Sequence, residues 1–303
     1  MRPESRVCKF VVKIFLFVLA LLFTGGIFVQ DVAAQTRAIP SGLFGLWAWG
    51  DWGDAFRVLG ENGFQIAVGV SSRSALDLAQ ARGIKCIVDH GLTKEIADDE
   101  EKWQKYLDGL KKKVDELKDH PAVYAWYFVD EPDWQQIPLE KIRVATELIR
   151  ERDDRKHPLF TVLTKPEKWA RYLPFFDIIS VDPYLKVKGP DGQPENPEKV
   201  RQYLQRIKAD LKDQGLNKPL YVVLGAFEQR PRAPGSVVVF RKPTPAEMEE
   251  MTRIALEEGV DGVLVWTLSF RNNSQYHDWR LPDDPLWSTV RRIPQLTGAT
   301  GKR

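Results

Sequence analysis

Two acidic residues, Asp130 and Glu131, close an uncharged run of strand formers in this 303-residue chain, Val123-Tyr124-Ala125-Trp126-Tyr127-Phe128-Val129. Such a run suits a strand buried on both faces, and Pro132 stops strand pairing directly after the acids. A buried strand that ends in carboxylates has put them where α/β proteins hold their chemistry. The plain alternative is a solvated strand end followed by a turn. A third acid, Glu228, lies at or just past the end of a second apolar run, Leu220–Ala226. Its plain alternative is a loop glutamate paired with Arg230 or Arg232. Two carboxyl groups facing one another are what cleavage of a glycosidic bond needs. One gives a proton to the leaving oxygen, and the other attacks or supports the anomeric carbon at a separation of about 5–9.5 Å. Their surroundings must hold their pKa values apart.

The elements that would position these groups alternate regularly. Strands are expected at Leu43–Trp47, Phe64–Val70, Ile84–Asp89, Val123–Val129, Leu159–Leu163, Asp177–Val181, Leu220–Ala226 and Gly262–Leu268. Amphipathic helical segments fall between them, among them Ala75–Ala81, Glu101–Leu117, Leu139–Glu151, Pro197–Gln214 and Thr244–Glu258. The fifth unit has only Pro166–Tyr172 for its helix. Alternating β and α units imply a parallel sheet. Eight of them near the ~250 residues of one (β/α)₈ unit imply closure into a single α/β TIM barrel. Helix-to-strand connections such as Arg82-Gly83 and His157-Pro158 are terse. The strand-to-helix connections after strands 6, 7 and 8 are long, and that is the face barrel enzymes elaborate for function. Glu131 and Glu228 follow strands four and seven on that face.

With those residues in place, the chain resembles the clan A glycoside hydrolases, retaining (β/α)₈ enzymes with a Glu acid/base after strand four and a Glu nucleophile after strand seven. Tyr127-Phe128-Val129-Asp130-Glu131-Pro132 is similar to the family's strand-four Asn-Glu-Pro signature. The resemblance implies Glu131 as acid/base, Glu228 as nucleophile, and Tyr184 as the strand-six hydroxyl that bonds the nucleophile. It also implies Trp266, ending Val263-Leu264-Val265-Trp266, as the floor beneath the sugar. The chain departs from the family in carrying Asp130 where Asn is usual. An amide can donate to a sugar hydroxyl, and an ionised carboxylate only accepts. The family's strand-two Arg is also missing from Phe64–Val70, with Arg73 just beyond.

Other residues could line a sugar site. Trp47, in the cluster Trp47, Trp49 and Trp52, offers a flat apolar face for a pyranose ring, or it packs in the core. Trp134 is an outer platform candidate. His90 either bonds substrate or bonds backbone, and Asp182 either bonds substrate or fixes the loop before Pro183. A metal-dependent barrel hydrolase built on His90, Asp130, Glu131 and Asp182 is a third function class, but no His-x-His or His-Glu-x-x-His spacing supports it. No cofactor is expected.

Residues 1–34 read as a signal peptide. Arg2, Arg6, Lys9 and Lys13 precede an apolar stretch, and Val32-Ala33-Ala34 offers small residues for cleavage. The alternative is an uncleaved anchor through residues 10–29. Residues 35–297 would form the barrel and 298–303 a frayed tail. Cys86 then remains the sole cysteine, so no internal disulfide forms, which a domain of this size tolerates on export. A formal net charge of +2 gives no nucleic-acid surface. The expectation is an exported, monomeric hydrolase acting on oligo- or polysaccharide. Its competitor is a non-catalytic or membrane-anchored carbohydrate-binding barrel.

Overall fold

The computed structural model describes residues 39–45, 52–229, 240–266 and 284–298. The eight strands are β1 Ser41–Phe44, β2 Ile66–Val70, β3 Lys85–Leu92, β4 Val123–Val129, β5 Phe160–Leu163, β6 Ile178–Val181, β7 Leu220–Gly225 and β8 Gly262–Trp266. All pair in parallel in the order β4-β3-β2-β1-β8-β7-β6-β5. The two edges of that order meet at a bridge between Trp126 and Leu159, where the Trp126 N–H donates to the Pro158 carbonyl at 2.9 Å. The sheet is thus an eight-stranded (β/α)₈ barrel joined along its last seam by a single bridge.

Alternation along each strand explains the two cores. Phe44, Ile66, Val68, Ile87, Ala125, Tyr127, Phe160, Val162, Tyr221, Val223 and Leu264 form a compact inner cluster that fills the barrel. Their strand neighbours, such as Leu43, Ala67, Val88, Trp126, Leu163 and Val265, join a larger cluster with the helices. Strands buried on both faces are apolar throughout. Tyr221 crowds the inner space so closely that a Cβ on Gly262 would lie 2.4 Å from its ring. Its hydroxyl meets that of Tyr124 at 2.8 Å.

The described helices are α1 Trp52–Glu61, α2 Arg73–Gln80, α3 Lys94–Asp98, α4 Glu100–Leu117, α5 Pro132–Gln135, α6 Leu139–Arg152, α7 Glu198–Asp213, α8 Pro245–Glu257, α9 Pro285–Val290 and α10 Ile293–Leu296. Caps written in the sequence fix several starts. Thr244 and Glu247 close a reciprocal capping box at α8, with Pro245 in the first turn. Ser72, Thr93 and Asp99 cap α2, α3 and α4 by accepting backbone N–H groups.

Three details differ from the sequence expectation. The first strand lies at Ser41–Phe44, earlier than Leu43–Trp47, so Trp47 falls outside the described residues. The fifth unit has no α-helix over Pro166–Tyr172. Two 3₁₀ turns, Trp169–Arg171 and Leu173–Phe175, replace it. Pro174 lacks the N–H that continued helix would need, and Trp169 buries its ring while its indole N–H bonds Asp210 of α7. Third, the short helices α3 and α5, just after β3 and β4, have no counterpart in the periodic pattern, being too short to show one. The signal or anchor expected over 1–34 and all of the tail beyond Gly298 lie outside the described residues. Among the described residues no helix is long and apolar enough to cross a membrane. The loop after β6 is described throughout, whereas those after β7 and β8 are described only in part.

Candidate active site at the mouth of the barrel

The end of β4 is bent sharply. Glu131 sits at φ 40°, ψ 56°, the left-handed region, which costs a non-glycine residue roughly 1–3 kcal/mol. Pro132, first residue of α5, disfavours the right-handed helical region for the residue before it. The bend is held from several sides. Tyr127, pointing up inside the barrel, donates its hydroxyl to the Asp130 carboxylate. Gln135 donates through Nε2 to the Asp130 carbonyl at 2.6 Å, and its Oε1 accepts the Lys94 N–H at 3.0 Å. Asp133 is fully buried and accepts the N–H groups of Thr164 and Lys165 at 3.0 and 2.6 Å, tying the bend to the loop after β5.

Strand β6 brings up Asp182, only 3% exposed, with both carboxyl oxygens buried, facing Glu131 and making no hydrogen bond of good geometry among the described residues. Burial pushes its pKa well above the usual carboxylate range, and the charge of the facing Glu131 adds to this. Burial likewise raises Asp130 to about 8, with Glu131 adding and the Tyr127 hydroxyl opposing. Asp133 rises to about 6 by burial, despite the two N–H groups it accepts. This group of carboxyls therefore retains protons at pH values where exposed carboxylates have lost them.

Tyr184 joins β6 to β7. Its ring packs edge-on against Phe227 and Phe240, with centroids 5.0 and 5.6 Å away. It also lies over the end of β7, where a Cβ on Gly225 would come within 2.8 Å of Cδ1. Its hydroxyl is raised by burial and by the charges of Asp182, Glu131 and Asp130, which places it among the same acids.

These groups line a cleft of about 610 Å³ at the C-terminal ends of β4 to β7. Glu131 and Trp134 form one wall, and Thr164, Lys165, Pro166 and Glu167 a second. Asp182, Tyr184 and Lys186 form the third, backed by Lys199 and Tyr203 of α7, with Gln229 and Phe240 closing the side toward β7. Trp134 is 58% exposed, as an outer platform would be.

The remaining candidates are placed differently. Glu228 is half-buried three residues past β7, and its neighbour Gln229 is the residue that lines the cleft. Trp266 ends β8, half-buried, with its ring tilted on Phe44 at 4.9 Å over the barrel interior. His90 turns outward from β3 into the helical layer. Its Nε2 donates to the Tyr106 carbonyl of α4 at 3.3 Å, and its ring meets that of Tyr106 at 4.8 Å. Burial and nearby Lys113 lower its pKa to about 4. Of its two sequence readings, the backbone-bonded one describes its place. Inner and outer positions alternate along β3, so Asp89, not His90, faces Tyr127 and Asp130, and its charge reaches both.

Sequence reasoning passed over Lys165, Lys186, Lys199, Tyr203 and Gln229. The signal that could have found the first two is the one that found Glu131, namely polar residues just after a strand end. Among the described residues no group of three or more His, Cys, Asp or Glu is disposed to hold a metal ion.

Strand order and helical layer together define a (β/α)₈ barrel. Similar folds occur in a β-glucuronidase from Ruminococcus gnavus, with TM-score 0.60, 16% identity, and coverage of 84% of this chain and 50% of that one. A GH2 β-galacturonidase from Eisenbergiella tayi bound to galacturonate is also similar, with TM-score 0.63, 18% identity, and coverage of 81% and 47%. The chain thus spans about half the length of these proteins. No family model and no curated protein matches the sequence.

Proposed function

We propose that this barrel is a glycoside hydrolase cleaving O-glycosidic bonds of an oligo- or polysaccharide. The observation that carries the proposal is the position of Glu131. It lies at the C-terminal end of β4 in a cleft of sugar-binding size, held in a strained conformation facing the buried carboxyl of Asp182. Strain of that kind persists where surrounding structure enforces it, and it concentrates at functional sites. Glu131 serves as general acid/base, and Glu228, after β7, as the nucleophile of a retaining mechanism. Tyr184 orients the groups between β6 and β7, Trp134 provides an outer stacking face, and Trp266 the floor. Export through the N-terminal segment belongs to the same proposal, as does action by a single chain without a cofactor. The glycosidases of similar fold support the reaction class.

Replacing Glu131 by Gln removes the transferable proton and should lower glycoside turnover by roughly 10²–10⁴-fold. Glu228→Gln should abolish it, and with the unaltered protein proton NMR of the first-formed product should show the anomeric configuration of the substrate. Unchanged hydrolysis in either variant removes that assignment.

One observation favours a second reading, a carbohydrate-binding barrel without turnover. The residue lining the cleft at the end of β7 is Gln229, an amide, and not Glu228. Binding of glycans without release of product from any of them would decide for it.

A further inference from the structure

The cleft carries two cations with no counter-charge. Lys165 follows β5 and Lys186 follows β6. Both are half-buried, and among the described residues neither ammonium has a hydrogen bond or an ion pair. Their backbones, by contrast, are firmly placed. The Lys165 N–H donates to buried Asp133 at 2.6 Å, and the Lys186 N–H donates to Glu195 at 2.8 Å. Glu195 is itself occupied by Lys199, whose Nζ donates to it at 2.7 Å and to the Tyr184 carbonyl at the same distance. Glu167, the other acid on this side of the cleft, is exposed and pairs with neither lysine.

Partly desolvated ammonium groups without partners are unfavourable, and a bound anion compensates them. At the buried acids of the same cleft the demand is different. Asp182 is 3% exposed, and neither of its oxygens makes a hydrogen bond of good geometry among the described residues, so these acids call for sugar hydroxyls, which both donate and accept. A neutral sugar satisfies only the acidic wall.

We propose that the cleft recognises an acidic sugar, with hydroxyls facing Asp182 and Glu131 and a carboxylate or sulfate substituent held between Lys165 and Lys186. The proposal rests on the glycoside hydrolase reading and adds the charge class of the substrate to it. Two lysines do not distinguish carboxylate from sulfate, since each presents a point charge without the bidentate fork of arginine.

Matched pairs of ligands test this on the full chain by titration calorimetry. One series pairs oligouronides with their carboxyl-reduced counterparts, and the other pairs sulfated oligosaccharides with their desulfated counterparts. The acidic member of at least one pair should bind about tenfold or more tightly, the scale of a charge-assisted hydrogen bond. The series in which this occurs identifies the anion. In Lys165→Met/Lys186→Met the preference for the acidic member should fall toward unity. Equal binding within every pair overturns the proposal, as does a preference that survives in the double variant. The wild-type comparison decides even if the variant folds poorly. If neutral glycans are cleaved without charge preference, only this proposal fails. If no glycan of either kind is bound or cleaved, the hydrolase reading falls with it.

Discussion

The carboxylate of Asp133 accepts the backbone N–H of Lys165 at 2.6 Å, so the turn after β4 fixes the start of the loop after β5. Thr164 donates to the same oxygen at 3.0 Å. Two walls of the cleft are thereby held in register by one buried side chain. Asp133→Ala leaves both N–H groups without their acceptor, and should cost about 2–3 kcal/mol. Urea unfolding checks this through the midpoint at unchanged slope. A midpoint equal to wild type would show that water replaces the carboxylate without loss.

Tyr184 depends on the absence of a side chain at Gly225. A Cβ there would lie 2.8 Å from Tyr184 Cδ1 and 3.0 Å from Phe227 Cε1. Gly225→Ala should therefore displace the Tyr184 ring and cost about 1–3 kcal/mol, the usual effect of overpacking. The near-ultraviolet dichroism of the aromatic cluster should change with it. Adding Tyr184→Leu should restore most of the lost stability, since it removes the obstructing ring.

The acids at the mouth set a pH dependence whose sign follows from their raised pKa values. Asp130 at about 8, with Asp182 also raised, holds its proton in the folded chain where the unfolded chain, near 3.9, has released it. The folded state then binds more protons, so stability falls as pH rises. His90, lowered to about 4, acts oppositely between pH 4 and about 6.5. The carboxyls stand clear of it above that window. Thermal midpoints should decline from pH 6.5 to 8, and the decline should flatten in Asp130→Asn. At the acid end Glu247, lowered to about 2 chiefly by its hydrogen bonds from Arg241, contributes stability that is lost as pH falls below the usual glutamate range. An increase in midpoint from pH 6.5 to 8 would contradict the protonated carboxyls.

Glu131→Gln should stabilise the protein at neutral pH even as it removes activity. In its ionised form Glu131 opposes loss of the protons on Asp130 and Asp182, so with the amide those carboxyls ionise at lower cost. A gain of about 1 kcal/mol, typical when a functional site is relieved, is expected from urea midpoints at pH 7. A loss of stability would mean that the carboxylate is an essential partner of its neighbours.

Much of this was legible in the chain. The apolar run before Asp130, the terse helix-to-strand turns and the repeated alternation suffice for a barrel with Glu131 at the C-terminal end of its fourth strand, because burial on both sides of a strand leaves a direct mark on composition. The capping box at Thr244 and Glu247 is equally local. Short segments left less of a mark: the 3₁₀ turns around Trp169 and the four-residue helix α5 show no period to read.

Sequence by itself determined that Glu131 ends the fourth strand and that Asp182 ends the sixth. It could not determine that the two share one cleft, that Asp182 is buried against Glu131, or that His90 faces α4 while Asp89 faces the acids. Nor could it show that Lys165 and Lys186 line the same cleft, with neither ammonium paired among the described residues. Those facts depend on barrel curvature and on the exclusion of water. These bring residues distant in the chain within range of each other's charge, in surroundings where that charge is weakly screened.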